Sequence, residues 1–291
     1  MATRSSTEAV STASELRARL DEWRALELSV GLVPTMGALH DGHLSLVRLS
    51  RARDERTAVS IFVNPLQFVA GEDLASYPRD LAGDLRKLED EGVQLVFTPG
   101  VETMYPPGAQ TRVVPGSVAE PLEGEHRPGH FTGVATVVAM LLNLFGPDRA
   151  YFGQKDAQQV AVVRALVRDL AFAAELVVGP IVRAADGLAL SSRNAYLGEE
   201  ERRAALALSR ALRAANDAYL SGERDPERLR QSLRAVLGAE PLARVDYAEL
   251  VDPSTFRPPG GLAVLAVKIG RARLIDNHEL GTKFSTNSGD W

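Results

Sequence analysis

The sequence predicts an α/β fold in which a parallel sheet is followed by a second, smaller α/β domain. The segment 58–63, AVSIFV, is almost entirely apolar and is stopped by Asn64-Pro65, a pattern typical of a central strand buried on both faces. Strand-like and helical patterns alternate between residues 30 and 97, and such alternation favours a parallel sheet with right-handed crossovers. The chain changes character between Pro180 and Asp186, so we expect one domain over residues 1–181 and another over 182–291.

Helical periodicity and stop signals place the elements of the first domain. Residues 1–12 are small and polar and are expected to fray. A strand should run into Pro34, and Asp41 is a plausible N-cap for the helix after it. Pro78 fits the first position of the next helix, and Gly92 fits its C-terminal cap. The other elements expected here are a first helix with Leu16, Leu20 and Trp23 on one face, strands at 93–97, 112–114 and 150–152, a buried helix at about 132–145, and a helix opened by GQKDAQQ.

The second domain has the pattern of a small α/β unit. Two helices are expected at 199–220 and 226–237, and three β-like runs at 245–251, 262–267 and 273–275. This unit carries no further candidate chemistry. The tail after Leu280 is polar, and we expect it to be mobile.

Composition limits the kinds of partner. The chain has 291 residues, of which 45% are hydrophobic and 24% charged, with a net charge of −5. It therefore lacks the overall basic field that nucleic acids and anionic membranes attract, and any anion site must be local. The absence of cysteine excludes disulfides, thiolate metal sites and a Cys nucleophile. The start lacks an apolar signal region and the run 134–145 is too short to span a bilayer, so we expect a cytoplasmic protein.

The stretch around His40 and His43 suggests an anion site. Both imidazoles fall where a helical pattern begins, and a helix N-terminus offers unpaired N–H groups and a positive dipole end that suit phosphate. Two alternatives remain open at this point. The pair could share a metal ion, although no third ligand is near in sequence, or it could be a solvated helix start.

Two further stretches carry candidate polar chemistry. Lys155 and Asp156 lie near the start of another helix, where a lysine opposes the dipole and is either solvated or placed to meet an anion. The turn at 191–194, SSRN, combines two hydroxyls with the Arg193 guanidinium. Such turns are usually structural, but with an arginine they can also clamp polyphosphate.

Seven segments with recognisable motifs occur in order along the chain. They are PTMGALHDGH, SIFVNPLQF, YPRDLAGDL, RPGHFTGVATVV, YFGQKDAQQ, SSRN and GRARLIDN. Together these segments resemble the pantothenate synthetases, the pantoate–β-alanine ligases of the HxGH nucleotidyltransferase superfamily. The resemblance runs from about Val30 to Leu280. One departure is Leu190, which stands where the family usually has Met.

The resemblance implies a Rossmann-like nucleotide-binding domain, a smaller lid domain, and ligation in two steps. Pantoate and ATP would give pantoyl adenylate and pyrophosphate, and β-alanine would then displace AMP. Mg²⁺ would accompany ATP, with Asp84 a candidate carboxylate near the metal or otherwise a solvated helix residue. The catalytic residues implied are His40, His43, Lys155 and Arg193. The nucleotide-binding residues implied are Pro34, Thr35, Met36, Gly37, His40, His43, Gly153, Lys155, Asp156, Val182, Leu190, Ser191, Ser192 and Arg193.

The resemblance also implies which residues recognise pantoate. Gln67 and Gln159 resemble the pair that hydrogen-bonds pantoate, with Met36 and Phe62 beside them as apolar wall or plain core. Asp156 would hold the ribose or act as an N-cap. Asn64, on the pantoate side, resembles a position near the site, as do Arg127 and His130, although a structural role is equally open for all three.

Two other functions remain open for this sequence. The chain could be another HxGH nucleotidyltransferase that stops at nucleotide transfer, or a non-catalytic nucleotide-binding module. Presence of His40, His43, Lys155 and Arg193 together argues against the latter. We expect a homodimer.

Overall fold

The computed structural model describes residues 7–69 and 71–284. Its strands are β1 Glu8–Val10, β2 Val30–Thr35, β3 Arg56–Ile61, β4 Leu95–Phe97, β5 Arg149–Gly153, β6 Glu175–Gly179, β7 Arg244–Val251, β8 Leu262–Ile269 and β9 Ala272–Glu279. Its α-helices are α1 Ala13–Ala25, α2 Asp41–Arg53, α3 Leu81–Asp90, α4 Val101–Met104, α5 Glu123–His126, α6 His130–Phe145, α7 Ala157–Asp169, α8 Glu199–Leu220 and α9 Pro226–Gly238.

The first six strands form one sheet in the order β1-β4-β3-β2-β5-β6, and every pairing in it is parallel. Successive residues face opposite sides of the sheet, as the strand geometry requires. Leu32 packs with α1, α6 and α7 on one side, whereas Val33 packs with α2 and α3 on the other. Burial on both faces explains why these strands read as nearly continuous apolar runs. The prediction of a parallel α/β sheet is confirmed.

The second unit contains an antiparallel sheet in the order β7-β8-β9. The helices α8 and α9 cover it, and together they enclose a separate apolar core that includes Leu208, Leu233 and Leu265. The two helices and three strands lie close to where the sequence places them. The parallel sheet ends at Gly179, near the proposed boundary at 181, which remains a prediction.

Four local predictions are wrong. Residues 8–10 do not fray, because they pair with β4 at the edge of the sheet. Residues 112–114 form no strand, and the Val113 N–H instead donates to the Thr136 hydroxyl. Helix α3 begins at Leu81 rather than Pro78, because the Asp80 carboxylate caps it by accepting from the Gly83 N–H. The N-cap of α2 is His40 rather than Asp41. Residues 1–6 and 285–291, including most of the tail expected to be mobile, lie outside the described residues.

None of the helices in the described ranges is long and apolar enough to cross a membrane.

Candidate active site

A cavity opens beyond the carboxyl ends of β2, β3 and β5, the place where parallel sheets bind ligands. Strand-end turns, the start of α2 and the face of α6 all contribute to its wall. Every residue predicted for the site lines it except Gly37 and Asp84. The residues brought together are Pro34, Thr35, Met36, His40, His43, Asn64, Gln67, Gly153, Lys155, Asp156, Gln159, Val182, Leu190, Ser191, Ser192 and Arg193.

The two histidines are held by the helix start itself. His40 Nδ1 accepts from the Gly42 N–H at 3.2 Å, and His43 Nδ1 accepts from the His40 N–H at 3.3 Å. The rings lie against each other, with centroids 4.1 Å apart. Because both Nδ1 atoms act as acceptors, the proton of each neutral ring is on Nε2. The helix cap therefore fixes which nitrogen of each ring is the donor.

Both imidazoles are neutral near pH 7. Burial, followed by the charge of Lys155, lowers the pKa of His40 to about 4. Burial also lowers the pKa of His43 well below its ordinary value, with further contributions from His40 and Lys155. The pair therefore offers neutral N–H donors, and positive charge in this part of the cavity comes from the lysine.

Lys155 lies on a short 3₁₀ turn, Gln154–Asp156, between β5 and α7. Its ammonium is 3.6 Å from a carboxylate oxygen of Asp156, and its side chain is mostly buried. Asp156 occupies the N-cap position of α7 but makes no capping hydrogen bond within the described residues. Asp156 instead lines the cavity.

The SSRN turn contacts the loop that precedes His40 and the loop that carries Asp73. The Ser192 hydroxyl donates to the Ala38 carbonyl at 3.2 Å, just before His40. Arg193 donates from Nε and Nη2 to the two carboxylate oxygens of Asp73, at 3.0 and 2.8 Å. Burial alone would raise the pKa of Asp73, but the hydrogen bonds and charge of Arg193, together with a hydrogen bond from Tyr196, lower that pKa overall. An incoming phosphate would therefore compete with Asp73 for the guanidinium.

On the other side of the cavity, Gln67 is held by surrounding polar groups. Its Oε1 accepts from Asn64 Nδ2 at 3.0 Å, and its Nε2 contacts the Met36 sulfur at 3.1 Å. Asn64 is buried, and its amide also bonds to the Gly133 carbonyl and the Tyr105 hydroxyl. These contacts favour Asn64 as the support of Gln67 rather than a direct ligand of substrate.

Gln159 and an apolar wall complete this side. The Gln159 side chain lines the cavity and has no hydrogen-bond partner among the described residues, so its amide is available to a ligand. The wall comes chiefly from α6 and includes Val134, Val138 and Leu141, with Phe62 facing them. Polar amides beside an apolar surface suit a small acid that carries hydroxyl and methyl groups.

Asp84 and Gly37 lie behind the wall, and the geometry argues against Asp84 as a metal ligand. Asp84 is 1% exposed, and its two oxygens accept from the Ala38 and Leu39 N–H groups at 2.8 Å each. Gly37 has a φ of +82°, which a residue with a side chain rarely adopts. Gly37 allows the tight turn of the loop that leads to His40, and Asp84 holds this loop from α3.

Sequence reasoning left Arg127 and His130 ambiguous and missed their partner Glu72. Arg127 donates from Nη2 to a Glu72 oxygen at 2.9 Å and from Nη1 to His130 Nε2 at 2.9 Å. His130 Nδ1 in turn donates to the Gln67 carbonyl at 2.7 Å. Burial, with the adjacent Arg127 charge, lowers the pKa of His130 to about 4, so this ring is also neutral. The cluster holds the backbone of Gln67.

Parallel strands that end in a cavity lined by imidazole donors, a lysine and an arginine define an α/β enzyme of the nucleotide-binding kind. The family model for pantoate–β-alanine ligase matches residues 8–279. The chain belongs to the pantoate–β-alanine ligase family.

Relatives and solved structures agree along nearly the whole chain. A pantothenate synthetase of Herpetosiphon aurantiacus is 52% identical over 276 residues, which cover 93% of this chain and 99% of that protein. One from Roseiflexus sp. is 54% identical over 273 residues, covering 92% and 97%. The crystal structure of pantothenate synthetase from Thermus thermophilus has a TM-score of 0.90 at 49% identity, covering 94% and 99% of the chains. These findings confirm the family, the fold and the enzyme class predicted from the sequence.

A further solved relative carries ligands. It is the pantoate-beta-alanine ligase of Francisella tularensis, whose structure was determined in complex with beta-gamma ATP and beta-alanine. It has a TM-score of 0.82 at 32% identity and covers 96% of this chain and 100% of its own.

Proposed function

We propose that the cavity binds pantoate and ATP side by side and forms pantoyl adenylate, which then reacts with β-alanine. The observation that carries the proposal is the pair of neutral imidazoles whose fixed Nε2 donors share one end of the cavity with the Lys155 ammonium. A carboxylate that attacks a phosphate brings two anions together. Preorganised donors and a cation are what that transition state requires.

In the first step, a pantoate carboxylate oxygen forms a bond to the α-phosphorus of ATP, and the bond from that phosphorus to the bridging oxygen breaks. Pyrophosphate leaves with the electron pair. His40 and His43 donate to α-phosphate oxygens as negative charge grows there, while Lys155 supplies positive charge. Ser191, Ser192 and Arg193 grip the β- and γ-phosphates after Arg193 exchanges Asp73 for phosphate.

In the second step, the β-alanine amine attacks the carbonyl carbon of the mixed anhydride, and the bond from that carbon to the phosphate oxygen breaks. AMP leaves with the electron pair, and the nitrogen releases a proton to water. Asp156 holds the ribose, and Gly153 and Pro34 allow the nucleotide to approach the backbone. Burial of the adenylate between the two domains, 1–181 and 182–291, limits its hydrolysis.

Mg²⁺ is proposed as part of the MgATP substrate rather than as a resident metal. Among the described residues, no group of three or more His, Asp or Glu side chains could hold an ion. Both oxygens of Asp84 already accept from backbone N–H groups. Mg²⁺ commonly keeps several waters and binds through substrate phosphates, which agrees with this arrangement. A cytoplasmic homodimer is the proposed state of the protein.

The first test uses purified protein, MgATP and pantoate without β-alanine. We expect pyrophosphate and one bound pantoyl adenylate per site, followed on addition of β-alanine by AMP and pantothenate in equal amounts. Rapid quench with separation of the nucleotides measures both phases. Recovery of pantoate bound covalently to the protein, or transfer of AMP to a phosphate ester instead, would contradict the proposal.

The second test separates the pantoate side from the nucleotide side. Gln67→Ala and Gln159→Ala should each raise the dissociation constant of pantoate by about 5- to 150-fold, because losing one partner of a buried hydrogen bond costs roughly 1–3 kcal/mol. Affinity for ATP should remain close to that of the parent in calorimetric titrations. Equal weakening of both substrates would show that these amides do not recognise pantoate.

A further inference from the structure

The segment 270–277, GRARLIDN, contributes to the family resemblance but has no role in the chemistry described so far. It covers the turn between β8 and β9 and most of β9 in the second unit. Its last residue, Asn277, is 3% exposed and reaches the short turn that carries Lys155.

Both the nitrogen and the oxygen of the Asn277 side-chain amide form hydrogen bonds with that turn. Nδ2 donates to the Gln154 carbonyl and to the Lys155 carbonyl, at 3.0 Å in each case. Oδ1 accepts from the Gln154 side-chain amide at 3.2 Å. No other side chain in the described ranges caps this turn. Two of the three carbonyl groups of the turn are therefore held by the second unit.

The residue before Asn277 fixes another part of the cavity wall. Asp276 accepts two hydrogen bonds from Arg183, at 2.6 and 2.9 Å, and Arg183 directly follows the cavity residue Val182. Successive residues of β9 thus hold two separate segments of the nucleotide side. This arrangement links the position of the second unit to the position of the lysine.

We propose that Asn277 is a positioning residue for adenylation, acting through Lys155. This inference rests on the proposed role of Lys155 as the cation that meets the α-phosphate. A lysine has a long, flexible side chain. The position of its ammonium therefore depends on how firmly its backbone is held. Displacement of a reacting group by about 1 Å can cost as much as about 100-fold in rate.

The test is a double-mutant cycle on the single-turnover rate of adenylation. Asn277→Ala should lower this rate by about tenfold, with KM for pantoate nearly unchanged, because the transition state and not pantoate binding depends on the lysine. In the Lys155→Ala background, the same Asn277→Ala change should lower the rate less than about twofold. Such non-additivity is not expected if Asn277 only joins the two units.

Two companion variants keep the result interpretable. Asn216→Ala is the matched control, since Asn216 is also 3% exposed and bonds through its amide to the Thr282 carbonyl and the Gly281 N–H, away from the cavity. It should lower thermal stability without changing adenylation. Asn277→Asp keeps the size and the acceptor but removes both donors, and it should reproduce the loss in rate if Asn277→Ala does not fold.

The outcomes distinguish this inference from the proposed function. If Lys155→Ala lowers adenylation strongly while the Asn277 variants retain the parent rate or lose activity additively with it, the positioning role is overturned and the function stands. If Lys155→Ala retains the parent rate, the proposed charge at the α-phosphate fails, and the positioning role fails with it.

Discussion

Replacing His43 by alanine should lower the single-turnover rate of adenylation by about 10²- to 10³-fold, the usual cost of removing one preorganised donor. The donor concerned is Nε2–H, since Nδ1 accepts from the His40 N–H. ATP affinity should change much less, because the donor acts as charge builds on the α-phosphate rather than in the ground state. Rapid quench for the rate and calorimetry for ATP binding measure the two quantities.

The same histidines predict an unusual pH dependence. An ordinary imidazole would gain its proton near pH 6.5, but the pKa of His40 is lowered to about 4 and that of His43 is also well below 6.5. The neutral donors are therefore present from about pH 9 down to about pH 5. They are lost only as the pH falls towards the lowered pKa, when a proton on Nδ1 would also remove the acceptor that caps α2. Adenylation should show no histidine titration between about pH 6 and about pH 8.

His43→Asn provides the control for charge. Its amide keeps a neutral N–H donor, so it should recover part of the rate lost in His43→Ala. Rates within a few-fold of the parent for both variants would mean that the pair is only a helix start, with the catalytic charge coming from Lys155 and the Mg²⁺ proposed to accompany ATP. A step in the pH profile centred at about 6.5, the ordinary imidazole pKa, that vanishes in both variants would instead show that the imidazoles act in their charged form.

The parts of the fold that the sequence predicts well are those governed by local pattern. The apolar run 58–63 had to be a buried strand, and the periodicity of 199–220 and 226–237 placed both helices of the second unit within a residue. The short strand β1 was missed because distant residues order it, through its pairing with β4 and the burial of Val10 in the core. Residues 112–114 have a strand-like composition but lie on the surface without a strand partner among the described residues.

In the candidate site, too, local sequence predicts where residues lie, whereas contacts with distant residues determine how they are held. Residues next to strand ends and helix starts, such as His40 and Lys155, were placed in the cavity by motif and position. The partners that fix their states come from far along the chain, as Asp73 does for Arg193 and Asn277 does for the Lys155 turn. The contacts of Asp84 could not be predicted from the sequence for the same reason. Its position on a helix does not indicate that its carboxylate accepts from the N–H groups of a distant loop.

Replacing Asp276 by alanine should lower the free energy of unfolding by about 3–5 kcal/mol, the cost of leaving one member of a buried ion pair alone. The side chains of Arg183 and Asp276 are each 2% exposed, and two hydrogen bonds join them. Without the carboxylate, the guanidinium keeps its charge in a place that water does not reach. Urea unfolding followed by circular dichroism, with the denaturant slope compared with that of the parent, measures the loss.

Two matched changes identify the source of that loss. Glu199→Ala breaks the ion pair between Glu199 and Arg203, whose side chains are 90% and 64% exposed, respectively. This change should cost about 1 kcal/mol or less, because water already solvates both charges. The double change Arg183→Met with Asp276→Leu removes both buried charges and should recover most of the stability lost in Asp276→Ala. If the double variant is as unstable as the single one, the loss comes from packing around β9 rather than from an unpaired charge.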